Sequence, residues 1–415
     1  MDGLKNNTVG VICELNPLHN GHVYLLSEAR RLAGEDGCVV CVMSGRSTQR
    51  GELAVAEPYA RARMALSGGA DLVLELPYPW SSGSAETFAE AGVRILASAG
   101  VAQLVFGSEC GHITLLTNAA ELVRSPDFVE AYAAACREGK GTAGAFTQTL
   151  QALAVASALD LPDGFPSSND LLGIAYLSAI SDLGSRQMIP HTIKRKGQDY
   201  RDEILTDVAY PSATALRRLM SEAACDPVSL SAMLEGTMPP DALDVLLKEI
   251  REKRAPLDMA PLHAFYHAYF RLADGGLSHE VTAEMGSGLR EHLHKCARTA
   301  PTPEAFMTAI ETKQYTRARL RRSLLFAVTG VTGEDLAAPP AYTRVLAANR
   351  RGRAFLAYAK KAREDKTMEI ITKPAHAPAC RQRVLDERLD ALYTLCLPEP
   401  MEAGWLMRLG AYMES

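Results

Sequence analysis

The 415-residue chain is long enough for two or three domains and too long for a lone small module, while 47% hydrophobic and 22% charged residues exclude a disordered or fibrous chain. No apolar run approaches the roughly 18 residues of a membrane helix, and the opening MDGLKNNTVG lacks a secretory signal's apolar stretch, so a soluble, cytoplasmic protein with no membrane association is expected. The net charge of −5 divides unevenly: residues 1–185 carry 11 Lys/Arg and 20 Asp/Glu (−9), leaving 33 and 29 (+4), and the 12 basic residues from Lys313 to Arg363 face only Glu334 and Asp335. That stretch suits a polyanion, unless its cations are simply solvated helix faces.

In chain order, VGVICEL (9–15) reads as a short buried strand, followed by a helical pattern from Asn20 through Leu32. CVVCVM (38–43) and DLVLEL (71–76) are strand-like and are separated by a helix around Tyr59 to Leu66. A helix from Ala85 to Ala99 leads into QLVFG (103–107), and a further strand is expected near Met188 to Ile193. Strands spaced by helices imply βαβ units, hence an α/β, Rossmann-like doubly wound parallel sheet over residues 1–205. Beyond Leu205 apolar residues recur at three and four, in Ala213–Ala224, Pro240–Ile250, Leu262–Leu272, Arg317–Ala327 and Arg353–Ala362, so a mainly helical domain is expected over 206–415.

Nine scattered cysteines without a secretory signal argue for reduced thiols. Cys38 and Cys41 form a C-x-x-C inside a predicted strand, where residues three apart face opposite ways, and no H-E-x-x-H occurs. No metal-ligating residue is assigned.

The informative stretch is Glu14-Leu-Asn-Pro-Leu-His-Asn-Gly-His22, directly after the first strand. Ligands of doubly wound folds bind outside the carboxyl ends of the strands, against the N-terminus of a following helix, whose unpaired N–H groups and dipole favour phosphate. His19 and His22 would lie on one side of that first turn as catalytic donors, with Gly21 allowing close approach. Two histidines that merely cap a helix would carry the same letters. A second anion-binding candidate is Ser212-Ala-Thr214-Ala-Leu-Arg217, where hydroxyls suit a helix start and Arg217 projects from its first turns.

A strand followed by H-x-G-H, with a later S-x-T-x-x-R, resembles the HIGH-type nucleotidyltransferase superfamily. Longer segments are similar to one branch, the tRNA(Met) cytidine acetate ligases: VGVICELNPLHNGH (9–22), MSGRSTQRGE (43–52), GGADLVLELPYPW (68–80), SAETFAEAGVRIL (84–96), LVFGSE (104–109), SSNDLLGIAYL (167–177), IKRKGQDYRDE (193–203), QYTRARLRRSLLF (314–326) and YTRVLAANRRG (342–352). Leu18 departs from the family's usual aromatic, and Arg46-Ser47-Thr48 from a usual Asn-aromatic stretch, which bears on the acetate pocket.

The resemblance implies an enzyme that joins acetate to ATP as acetyl-adenylate, with release of pyrophosphate, and then acetylates N4 of the wobble cytidine of elongator tRNA(Met). It places the ATP site at Ile12, Cys13, Glu14, Asn16, Pro17, His19, Asn20, Gly21 and His22, then Gly107, Asn169 and Arg195, with Ser212, Thr214 and Arg217 beside them. Gly107 also reads as a turn glycine, Asn169 as a helix N-cap and Arg195 as a surface cation. Mg²⁺ is the expected companion of ATP, and acetate and tRNA are the expected partners, with no protein partner evident. In the basic stretch Arg317, Arg321, Arg322, Arg350 and Arg351, together with Arg319, Arg344 and Arg353, are candidates for tRNA phosphates, and Tyr315 or Tyr342 for a base. Glu14 and Asp170 are both open as a general base. A small-molecule adenylyltransferase, or an RNA-binding protein with an inactive nucleotide domain, are the alternatives; retention of both histidines weighs against the latter.

Overall fold

The computed structural model describes every residue except 1–6, 139–140, 185–187, 198–203, 205–206, 223–225, 273–281, 313, 363–367 and 415. The end of the IKRKGQDYRDE segment, the ends Lys313 and Arg363 of the basic stretch, Ala224 and the expected boundary at 205 lie outside the described residues.

Strands β1 (Thr8–Cys13), β2 (Cys38–Ser44), β3 (Leu72–Leu76), β4 (Gln103–Ser108) and β5 (Ile189–Lys194) are parallel and stand in the order β5-β4-β1-β2-β3. β1, β2 and β3 are buried throughout, which explains their continuous apolar runs in place of alternation. After β3 the chain crosses through the helix Ala85–Ala99 to the far side of β1. The order therefore reverses between β1 and β4, which is where a doubly wound sheet opens a crevice. Ala85–Ala99 and Ser168–Ser181 pack on one face against Ile12, Val40, Leu74 and Phe106. Asn20–Ala33, Pro58–Ser67 and Pro240–Arg251 cover the other, against Val9, Val11, Val39 and Met43.

The expected strands and helices of the first half are present within a residue or two, and Ile113–Val123, Pro126–Arg137 and Thr142–Ala156 add helices that were not read. The second half is mainly helical, as expected, but it also returns to the sheet. β6 (Tyr342–Ala348) lies antiparallel to β3, with β7 (Glu369–Ile371) and β8 (Tyr412–Met413) beside it. All seven residues of β6 are buried, and its polar members are satisfied across the joint: Thr343 Oγ1 donates to the Glu75 carbonyl at 2.6 Å. A third core joins Leu53 and Tyr78 to helices between Leu262 and Leu397, so residues 206–415 are built onto the first half rather than beside it. Among the described residues no helix is long and apolar enough to cross a membrane.

Candidate active site

The H-N-G-H segment starts helix α1 (Asn20–Ala33) immediately beyond β1, at the crevice. His19 is the N-cap: its Nδ1 accepts from the Gly21 N–H at 3.1 Å, and Nδ1 of His22 accepts from the His19 N–H at 3.3 Å. The two histidines therefore do cap the helix, and the capping fixes how their rings are turned. With each Nδ1 used as an acceptor, the proton of each neutral ring sits on Nε2, the free donor. Burial, reinforced by His22, Arg195 and Arg217, holds His19 well below the usual histidine range. Burial and then Arg195 bring His22 down to about 3. Both rings are neutral at physiological pH, with centroids 3.8 Å apart. A Cβ at position 21 would stand 2.9 Å from His19 Cε1, so glycine is needed where the rings cross the helix start.

One expectation changes. The first N–H groups of α1 are not unpaired: Asn20 N–H donates to the Thr237 carbonyl at 2.9 Å, Gly21 to His19 Nδ1, and His22 to the His19 carbonyl at 2.8 Å. The helix start thus offers its dipole and two ring N–H groups in place of a row of open backbone amides.

Around this start the loops are tied by groups distant in sequence. Arg61, fully buried on the helix Pro58–Ser67, donates to the carbonyls of Glu14 (2.6 Å), Ser44 (2.9 Å), Ala56 (3.0 Å) and Gly45. It pins the carboxyl ends of β1 and β2 together. Asn16 Oδ1 accepts from Val55 N–H at 2.7 Å, and Asn20 Nδ2 donates to the Gly236 carbonyl at 2.7 Å. Ile12, Cys13 and Pro17 have buried side chains without a charged or N–H donor group for phosphate. Glu14 Oε1 accepts from Gln49 N–H at 2.6 Å.

The S-x-T-x-x-R segment reaches the same place. Ser212 is buried and caps the helix Ala213–Glu222 by accepting from Ala215 N–H at 3.0 Å, so its hydroxyl serves the helix first. Thr214 Oγ1 accepts from Arg217, whose Nη1 donates to the Asn16 carbonyl at 2.8 Å. Arg217 is the member aimed at the H-N-G-H loop.

Gly107 lies within β4 rather than in a turn, and a Cβ there would meet the Arg195 side chain at 3.2 Å. Asn169 is the second residue of its helix; Ser167 is the cap. Glu109, to which the sequence attached no role, organises both neighbours. Its carboxylate accepts from the N–H groups of Asn169 and Asp170, each at 3.1 Å, and from Asn169 Nδ2 at 2.6 Å, while Arg195 Nη1 donates to Asn169 Oδ1 at 3.4 Å. Lys196, 4.1 Å over the Tyr24 ring, is a further unread cation on this side. Among the described residues no three His, Cys, Asp or Glu side chains gather as a metal cage.

The basic stretch divides. Tyr342 and Arg344 are buried, the arginine paired with Glu75 and 3.8 Å from Asp386, which removes both from an RNA surface. Arg322, 9% exposed and bonded to Glu284 at 2.8–3.0 Å, leaves it for the same reason. Arg317 is exposed beside Glu311, and Arg321 pairs with Glu52 of the MSGRSTQRGE loop, near the carboxyl end of β2. Arg350 and Arg351 are exposed, but Ala348 pairs with Leu72, at the amino end of β3. They stand at the opposite end of the sheet from the histidines.

The family model for HIGH nucleotidyl transferases matches residues 6–404. The chain is 34% identical to the tRNA(Met) cytidine acetate ligase of Acetivibrio thermocellus (94% of this chain, 95% of that one) and 35% identical to that of Syntrophotalea carbinolica (96% and 94%). Its fold matches the crystal structure of Thermotoga maritima TmcAL bound with alpha-thio ATP at a TM-score of 0.85, with 28% identity over 98% of this chain and all of that one. Matched by the family model over residues 6–404 and 34–35% identical to these ligases over nearly the whole length, this chain belongs to the tRNA(Met) cytidine acetate ligase family of the HIGH nucleotidyl transferases.

Proposed function

We propose that this protein is an ATP-dependent ligase that activates acetate as acetyl-adenylate and acetylates N4 of the wobble cytidine of elongator tRNA(Met). The observation that carries the reading is the pair of neutral histidines at the start of α1, each with its Nε2 proton left to donate, converging with Arg195 and Arg217 at the crevice between β1 and β4.

In the first step an acetate oxygen attacks the α-phosphorus of ATP, forming an O–P bond as the bond to pyrophosphate breaks. Two anions meet, so the work is positioning and charge stabilisation. His19 and His22 donate to phosphate oxygens without titrating; Arg195 and Arg217 supply the fixed positive charge. Asn169, oriented by Glu109, presents Oδ1 to a ribose or base donor, and Gly107 leaves room for Arg195 and the nucleotide. Mg²⁺ would arrive on the triphosphate oxygens and neutralise part of their charge.

Arg317 and Arg321 meet tRNA phosphates beside the nucleotide site. Arg350 and Arg351 form a farther contact, beyond the ~13 Å spanned by the four steps of β3, reached only by a large RNA. The cytoplasm, where tRNA is processed, is the proposed location.

Acetate-dependent exchange of pyrophosphate into ATP, measured without tRNA, tests the first step. Exchange is expected with the wild type and is reduced at least ~100-fold by His22→Ala. Exchange that ignores acetate but responds to a phosphorylated cofactor precursor would replace the reading with a small-molecule adenylyltransferase.

A further inference from the structure

We propose that Glu14 is the general base of the second step, taking the N4 proton of cytidine as that nitrogen attacks the acetyl carbon. The inference rests on the ligase reading above.

The carboxylates at the carboxyl end of the sheet sort themselves by their partners. Asp170, 2% exposed, accepts from Cys110 N–H (3.1 Å) through one oxygen and Ser167 N–H (3.0 Å) through the other, closing a capping box. Glu109 is filled by the helix start it organises. Glu52 holds Arg321, buried Glu75 holds Arg344, and Glu57 caps the helix Pro58–Ser67 with both oxygens. Glu14 combines two properties that none of these shares: among the described residues Oε2 takes no hydrogen bond while Oε1 accepts from Gln49 N–H, and no cation is bonded to it, whereas Glu52, also held through Oε1 alone, is neutralised there by Arg321.

Its position gives that oxygen a task. Glu14 directly follows β1 and precedes His19 by five residues, in the loop that carries the nucleotide donors. Both substrates of the first step are anions, and a carboxylate beside them is repulsive. The second step brings an amine. As the N–C bond forms, N4 becomes cationic and must lose a proton before the C–O bond to AMP breaks and its electron pair leaves with the phosphate. A carboxylate fixed on one oxygen and open on the other can take that proton. The products are N4-acetylcytidine, AMP and a protonated Glu14, which returns its proton to water.

The environment tunes the group in the useful direction. Burial raises the Glu14 carboxyl above the usual 4.5 and Glu52 adds to this, while the Gln49 N–H and the cations Arg217 and Arg50 restrain the shift. Arg61, from the helix Pro58–Ser67, binds the Glu14 carbonyl, and Tyr176, from Ser168–Ser181, also senses the carboxylate. A more basic carboxylate is the better acceptor for an amine proton.

Glu14→Gln keeps an acceptor for the Gln49 N–H and removes only the basic oxygen. The test is single-turnover transfer of labelled acetyl from enzyme-bound acetyl-adenylate to tRNA(Met), from pH 5 to 9, with pyrophosphate exchange measured alongside. Wild-type transfer should rise with pH through one limb above 4.5 and level off. Glu14→Gln should lose at least ~100-fold in transfer, a larger factor than in exchange, and lose the limb; Glu14→Asp should keep the limb at a lower rate. Transfer by Glu14→Gln within fivefold of wild type, an unchanged limb, or equal losses in exchange and transfer would each overturn the proposal, the last by assigning Glu14 to ATP. Should Glu14→Gln fail to fold, the presence or absence of the limb in the wild type and Glu14→Asp decides. A wild type that exchanges pyrophosphate yet never acetylates tRNA would instead sink the parent reading.

Discussion

Two sets of arginines behave in opposite ways in this molecule. At the carboxyl end of the sheet Arg46, Arg61 and Arg344 are at most 2% exposed and are spent on structure: Arg61 on four carbonyls, Arg46 near Glu75, Asp386 and Asp390, and Arg344 on Glu75. At the amino end Arg350 and Arg351 are exposed on the first turn of the helix Arg350–Ala362. The nucleotide end is therefore not where free positive charge is most abundant. It is where charge is most firmly held, with Arg195 and Arg217 left half-open to a ligand, and a reaction between two anions requires such fixed charge more than it requires net charge.

The sharpest break of this contrast is Arg61→Met, which strands the carbonyls of Glu14, Ser44, Gly45 and Ala56. A loss of ~3–5 kcal/mol in urea unfolding is expected, together with loss of ATP binding. A loss below ~1 kcal/mol would mean that water replaces the guanidinium and that the loops are not locked by it.

Arg344→Met tests the joint between the halves. It leaves buried Glu75 without its bonded cation, and Glu75 and Asp386 with only Arg46 at 3.8–3.9 Å, and should cost ~3 kcal/mol or more. Adding Glu75→Gln should recover part of that loss, because one uncompensated charge is removed. No recovery would place the cost in packing around β6.

The histidine pair gives a test by pH. Because both folded-state values lie below 6.5, the rings stay neutral down to acid pH, and pyrophosphate exchange should show no histidine limb between pH 6 and 8. Above 6.5 they contribute no pH dependence to stability; as pH falls through 6.5 the unfolded chain binds protons that the folded one refuses, so stability declines. An exchange profile with a midpoint near 6.5 would assign catalysis to a charged imidazolium.

The smallest effects belong to the RNA surface. Arg321→Ala should weaken tRNA binding and lower its salt slope by about 1, whereas Arg350→Ala should change affinity less, as a contact farther from the reacting base. A larger effect at Arg350 would move the docking face to the amino end of the sheet.

What could be read from the sequence follows the range of the interactions. The H-N-G-H turn is local: residues 19 to 22 cap one another, and their position after an apolar strand was visible in the letters. Strands β1, β2 and β3 were visible because burial on both faces makes them predominantly apolar. Strand β6 was not, since Thr343 and Arg344 interrupt its apolar run and become acceptable only by pairing with Glu75, 268 and 269 positions away. Arg322 looked like its exposed neighbours for a similar reason, its partner Glu284 being 38 positions back. Glu109 stood in a quoted motif, yet its work on Asn169 depends on a helix start 60 residues on.

Nucleoside mass spectrometry of elongator tRNA(Met) incubated with the protein, ATP and isotopically labelled acetate addresses the central claim most directly. Labelled N4-acetylcytidine at the wobble position, formed with AMP and pyrophosphate and abolished by His22→Ala, is the predicted result. Unlabelled cytidine at that position, with a folded protein that binds ATP, would contradict it.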